Sequence, residues 1–402
     1  MNLSFYTNFS NSLTQQQAQI NTLQQQISTG LSVQTPDQNP EAYQSTTLNN
    51  DQISTLNNDN TTQAAIQVQL GSVNNIYQST GNLLNNMQSV VEQALNGTTS
   101  AQNLNALASQ VAAASQQMLG LANTTSPNGG FLFAGSRGGV APFQSDGSGN
   151  IQYFGDGGQS QAAISPNISA STIANGSVFV SGLSGDGIGS VSATTTNSGT
   201  GQIIPQGTVN ATAANAFQAG NAPITISFSS GTGTAVNYTA TQGGTTLATG
   251  PVSGNTNVQL AGVDYQITGS PAAGDSFTVA PARPQSVFTL LKNLHDALAN
   301  AGSTPAQVAQ TNQILNESLA GIAQYQQSVA TAQAQNGVTL QLLGNASASN
   351  TSQSTQLQVN VQNATAVNMP AAITSLDQSL TAMQAAMKAF ASVQSLSLFN
   401  YI

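Results

Sequence analysis

The chain has 402 residues, with 4 Lys or Arg, 13 Asp or Glu, no Cys and a net charge of −9. Its charged fraction is 4%, against about 25% in an ordinary soluble domain, so Gln, Asn, Ser and Thr carry the polar surface. Four cations exclude an electrostatic grip on nucleic acid or on anionic lipid, and the lack of cysteine excludes disulfides, thiolate metal sites and a Cys nucleophile.

At about 150 residues per domain, the length admits two or three domains. The start, MNLSFYTNFSNSLTQQQ, has neither the basic region nor the apolar run of a secretory signal. No stretch approaches the roughly 18 apolar residues that a bilayer span requires.

In chain order, Leu13, Ile20, Leu23, Ile27 and Leu31 fall on one helical face among Gln and Asn, with no charge before Asp37. Two prolines in Thr35-Pro36-Asp37-Gln38-Asn39-Pro40 then break the helix at a hinge. From Ile66 the apolar positions run Leu70, Val73, Tyr77, Thr80, Leu84, Met87, Val91 and Ala94 in alternating steps of 4 and 3. This is a heptad seam with one polar member, Thr80, and predicts a helix of about 45 Å. A second seam follows through Leu104, Leu107, Val111, Ala114, Met118 and Leu121.

Glycine marks the change of class, for 28 of the 37 lie between Gly129 and Gly274. Short β-branched runs there, Ile224–Phe228, Ala235–Ala240, Val258–Leu260 and Tyr265–Thr268, predict a small sandwich or barrel-like β domain. Beyond it, Val287, Leu291, Leu294 and Leu298 make a short seam ending at Gly302, and Pro305 opens a long helix past Val308, Leu315, Leu319, Ile322, Val329, Leu342 and Leu357. Gly337 and Gly344 weaken that helix by about 1 kcal/mol each. Met369, Ile373, Leu376, Leu380, Met383, Met387 and Phe390 form a last seam, which Pro370 must start or kink.

The fold class expected is therefore α with an inserted β domain. Both termini build a long antiparallel helical rod, and the Gly- and Thr-rich β domain sits at its far end. The boundaries are 1–35 with 370–402 for the terminal helices, 36–128 with 285–369 for the rod, and 129–284 for the β domain.

No catalytic set is visible. His295, the single histidine, neighbours Asp296 on a helix, and no G-x-S-x-G supplies a nucleophile. One His without Cys cannot furnish a zinc set. Asp146, Asp156, Asp186, Asp264 and Asp275 lie in or beside Gly-rich turns, where turn chemistry explains them better than a calcium loop. No enzyme activity, cofactor or metal is expected.

The uncharged ends carry the functional signal. A short helix with only Leu13, Ile20, Leu23 and Ile27 to bury is marginal in water, and pairing the ends leaves Phe390, Leu396, Leu398, Phe399, Tyr401 and Ile402 poorly covered. The expectation is that both ends become helical only where neighbouring subunits supply surface. The candidate assembly residues are Leu13, Ile20, Leu23, Ile27, Leu31, Leu380, Met383, Met387, Phe390, Leu396, Leu398, Phe399, Tyr401 and Ile402.

Ile27-Ser28-Thr29-Gly30-Leu31-Ser32-Val33, followed by Pro36 and Pro40, resembles the N-terminal signature of bacterial flagellins and their hook–filament junction relatives. Gly130-Phe131-Leu132-Phe133-Ala134-Gly135-Ser136 with Pro142-Phe143, and Gly274-Asp275-Ser276-Phe277-Thr278-Val279, look like the junction relatives' entry to and exit from their β domain. The tail from Phe390 to Ile402 is similar to the junction relatives and unlike filament flagellins. Gln38 and Asn39 stand where the family usually has aspartates, so amide hydrogen bonds would have to substitute there. The resemblance implies a secreted structural subunit of the flagellum, exported unfolded by the type III apparatus, with the terminal helices innermost and the β domain facing outward. It implies as partners identical subunits in an adaptor ring, a second hook-associated junction protein, hook protein, filament flagellin and an export chaperone. The rivals are a filament flagellin and an adhesin-like protein whose β domain binds on a helical stalk.

Overall fold

The computed structural model describes residues 3–96, 100–127, 129–158, 161–166, 168–171, 174, 176–233 and 235–399, without the side chains of residues 3, 5 and 393–399. Helix boundaries coincide with residues whose chemistry starts or stops a helix. Helix α1 (Leu3–Thr29) ends at Gly30, whose φ of 74° is left-handed. The Oδ1 of Asn39 accepts the Ala42 N–H at 3.1 Å and caps α2 (Pro40–Leu95), with proline at its first position. Ser100 caps α3 (Ala101–Ala122) by accepting from the Asn103 N–H.

The insert then alternates. Strands β1 (Phe143–Ser145) and β2 (Ile151–Tyr153) form one antiparallel hairpin, and β3 (Gln161–Ser165) and β4 (Ile168–Ser171) another. A single helical turn, α4 (Ser177–Val180), leads to β5 (Gly182–Leu183), β6 (Gly189–Ala193) and β7 (Gln202–Thr208). Helix α5 (Ala211–Ala219) precedes β8 (Ile224–Ser230), β9 (Val236–Gln242), β10 (Thr245–Val252), β11 (Thr256–Leu260), β12 (Val263–Thr268), β13 (Ser276–Pro281) and β14 (Pro284–Gln285). A five-stranded antiparallel sheet, β10-β9-β8-β13-β6, and a three-stranded one, β11-β12-β7, share one apolar core. Alternation fills it: Ile224, Ile226 and Phe228 from β8, Val263, Tyr265 and Ile267 from β12, and Phe277 and Val279 from β13, with Phe217 of α5 packed among them. The expected strands are present, whereas α4 and α5 are too short to leave a periodic signal.

Ser286 caps α6 (Val287–Ala299). A reciprocal pair opens α7 (Pro305–Thr365): Thr304 Oγ1 accepts the Gln307 N–H, and Gln307 Oε1 accepts the Thr304 N–H. Asn368 Oδ1 caps α8 (Met369–Phe399) through the Ala371 N–H. Helix α7 passes unbroken through Gly337 and Gly344.

The chain divides into two compact units. The first comprises residues 1–63, 164–166 and 345–402; the second comprises 64–163 and 167–344. In the second, all nine seam positions from Ile66 to Ala94 are buried, Thr80 included. Helices α2 and α7 run antiparallel there, since Gln326 donates to Asn85 and Gln88 while Asn336, further along α7, donates to the earlier Leu70 carbonyl. The α7 seam differs from expectation. Leu315, Ile322, Val329, Asn336 and Leu343 are buried at seven-residue steps, whereas Val308 and Leu342 are exposed. An asparagine in the seam hides it from an apolar search.

Aromatic rings join the insert to these helices. Tyr77 meets Phe133 at 5.9 Å, Phe133 meets Phe179 edge-on at 5.2 Å, Phe179 meets Phe143 at 5.5 Å and Phe143 meets Phe288 at 5.4 Å. The Phe131-Leu132-Phe133 and Pro142-Phe143 motifs are thus the packing joint of the second unit.

Candidate assembly surface

The first unit is held at one end by aromatic stacking and at the other by backbone pairing. The Phe390 ring of α8 stacks on Phe9 of α1 at 4.2 Å with an interplanar angle of 5°, and Tyr6 stands edge-on to it at 5.1 Å. At the other end of α1, Leu31 forms an isolated antiparallel bridge with Ala366. The Val367 N–H donates to Gly30 at 3.0 Å, and both the N–H and the hydroxyl of Ser32 donate to the Thr365 carbonyl. The left-handed turn at Gly30 makes this pairing possible by turning the chain off the helix axis.

This corrects the expectation that the ends are helical only among neighbouring copies. Both are helical in the single chain, because α1 and α8 each cover part of the other's apolar face. Phe390, expected to be poorly covered, has two aromatic partners. The cover is nevertheless thin. Ile20 is buried, while Leu13, Leu23, Ile27, Leu380, Met383 and Phe390 are half-buried. Leu31 and Met387 keep 41% and 46% of their surface exposed. Tyr6 and Ile373, outside the expected set, are exposed too. The side chains of Leu396, Leu398 and Phe399, and the whole of Tyr401 and Ile402, lie outside the described residues.

Amides do the local work of carboxylates. Gln38 Oε1 accepts the Gln34 and Thr35 N–H groups, and Asn39 caps α2. A buried amide set fixes Ile164 within the same unit: its carbonyl accepts from Gln63 and from Asn350 Nδ2, and the Ser165 hydroxyl donates to Asn350 Oδ1. Asn350 continues the seven-residue seam of α7 and was invisible to an apolar search for the same reason as Asn336.

Chemistry of other kinds does not converge. Among the described residues no three of His, Cys, Asp and Glu gather to hold a metal. Asp296 accepts from Lys292 at 2.6 Å and bonds His295 at 3.0 Å, and these partners hold its carboxyl below the usual range. Asp146, Asp156, Asp186 and Asp275 accept backbone N–H groups of their own or adjoining turns.

Residues 2–137 match the family described as the bacterial flagellin N-terminal helical region. Two crystal structures of FlgL from Xanthomonas campestris align at 27% and 28% identity, with TM-scores of 0.67 and 0.64, covering 77% and 73% of this chain and 97% and 94% of theirs. Residues 2–137 thus carry a flagellin-type N-terminal helical region. A flagellar hook-associated protein-3 from Legionella pneumophila shares the fold, with a TM-score of 0.73 at 23% identity over 79% of this chain and 98% of its own. Comparison with curated protein sequences yields no significant match. The chain shares with these flagellar junction proteins helical flanks and an inserted antiparallel β domain. No helix among the described residues is long and apolar enough to cross a membrane.

Proposed function

We propose that this chain is a non-enzymatic adaptor subunit that forms a ring of identical copies between hook and filament, through the faces that α1 and α8 leave exposed. The observation that carries this reading is the first unit itself. It pairs two terminal helices through few apolar contacts, leaves Leu31 and Met387 open, and has no charge before residue 37 or after residue 388. Burying such faces between subunits gains apolar contact without desolvating ions, which would cost several kcal/mol each unless paired.

On this reading residues 1–35 and 370–402 form the inner layer, 36–128 and 285–369 the next shell, and 129–284 the outward head. The partners are a second hook-associated junction protein, hook protein, filament flagellin and an export chaperone. The test is removal of Ala389–Ile402. The truncated chain is expected to be secreted yet to fail to cap hooks, leaving cells without filaments. Normal filaments from that variant would overturn the assembly role.

A further inference from the structure

Glu317 of α7 presents an unusual arrangement in the second unit. Its Oε2 accepts the N–H of Val191, on edge strand β6, at 3.1 Å. Its Oε1 is enclosed and has no hydrogen-bond partner, and the fully buried hydroxyl of Tyr265, on β12, has none either. The walls are glycine. A Cβ at Gly185 would stand 2.8 Å from Glu317 Oε1, and one at Gly189 would stand 2.7 Å from the Tyr265 hydroxyl. Gly185 already lies in the left-handed region, at φ 61°. The pocket closes on an acid and a phenol with no room for another side chain.

The charged groups around it give the carboxylate no counter-ion. From the turn before β6 comes Asp186, also negative, whose Oδ1 is engaged by the Ile188 and Gly189 N–H groups. From β12 comes Tyr265. From α6 comes Asp296, already paired with Lys292 and His295. Burial, with Asp186 adding to it, pushes the Glu317 carboxyl up to about 7 from its usual 4.5, against the pull of Ser190 and the Val191 N–H. A cavity of about 630 Å³, lined by Ser190, Ser192, Asn293, Thr311 and Glu317 itself, lets a proton reach the site.

We propose that Glu317 is a proton-operated latch that seats edge strand β6 of the β domain on helix α7 when protonated and loosens it when ionised. Protonated, it is a neutral group held between β6 and α7. Ionised, it leaves an enclosed negative oxygen facing Asp186. Because the folded group binds its proton more tightly than the unfolded one, seating is fullest below about 4.5 and weakens as pH rises towards about 7.

The sequence makes the test direct, since Glu41, Glu92 and Glu317 are the only glutamates. In the full-length monomer carrying Glu41→Gln and Glu92→Gln, at exposed helical positions, the glutamate side-chain carboxyl (13Cδ) resonance in NMR comes from Glu317 alone. A titration midpoint near 7 is expected; an ordinary midpoint near 4.3 overturns the proposal. Hydrogen exchange of the Val191 amide, corrected for intrinsic rate, is expected to quicken about tenfold between pH 5 and pH 8 in the wild type. Protection independent of pH there also overturns it, as does an equal loss in Glu317→Gln.

Discussion

The backbone N–H of Ser32 and its hydroxyl both donate to the carbonyl of Thr365, at 2.6 and 3.0 Å, across 333 residues of sequence. With the return bond from Val367 to Gly30, they tie the end of α1 to the link before α8. Ser32→Ala removes the side-chain bond, worth about 1 kcal/mol. Gly30→Ala has space for its Cβ but forces it into the left-handed region, also at about 1 kcal/mol. Either variant is expected to speed protease cleavage between Thr29 and Gln34 about fivefold, and no change in cleavage rate would show that the pairing holds nothing.

Phe390 joins α8 to α1 through Phe9 and Tyr6. Phe390→Leu keeps an apolar side chain and loses both ring contacts, each worth roughly 0.5–1.5 kcal/mol. Hydrogen exchange along the first two turns of α1 should then rise while α2 stays protected. A uniform rise across both helices would mean instead that the first unit opens as a whole.

Thr80 occupies the one polar position in the seam of α2, with its hydroxyl buried and unpartnered. Valine has the same shape without the unmet oxygen. Thr80→Val is expected to stabilise the second unit by about 1 kcal/mol, read as a rise of roughly 2–4 °C in Tm by calorimetry. A fall in Tm would reveal a partner for the hydroxyl.

Asp275 is buried and accepts the N–H groups of Ser198, Gly199 and Ala272. Asp275→Ala strands those donors and is expected to destabilise the β domain by about 2–4 kcal/mol, seen in the urea midpoint. Chelation by EGTA should leave that midpoint unmoved, because the turn carboxylates already serve backbone N–H groups. A shift on chelation would return Asp275 and its neighbours to calcium chemistry.

Much of the architecture was legible because its signals are local and periodic. The steps of 4 and 3 from Ile66 to Ala94 match burial at every position, and the Gly-rich span is the sheet region. Apolar periodicity places Val308 and Leu342 in the α7 seam, whereas Asn336 and Asn350 hold seam positions, and an amide is admitted there only when a particular carbonyl, of Leu70 or Ile164, awaits it. The assembly residues divide similarly. Periodicity picked out Ile20 and Phe390, but their burial depends on the opposing helix.

Propensity, capping and periodicity act over a few residues, so the long helices, four of the strands and the lack of charge at both ends are readable from residue order alone. That α1 and α8 cover each other within one chain, that buried amides answer distant carbonyls and that Glu317 Oε1 is enclosed emerges from the folded arrangement alone. Those outcomes turn on which groups meet across hundreds of residues, and a buried polar atom is tolerated or costly according to the partner it finds there.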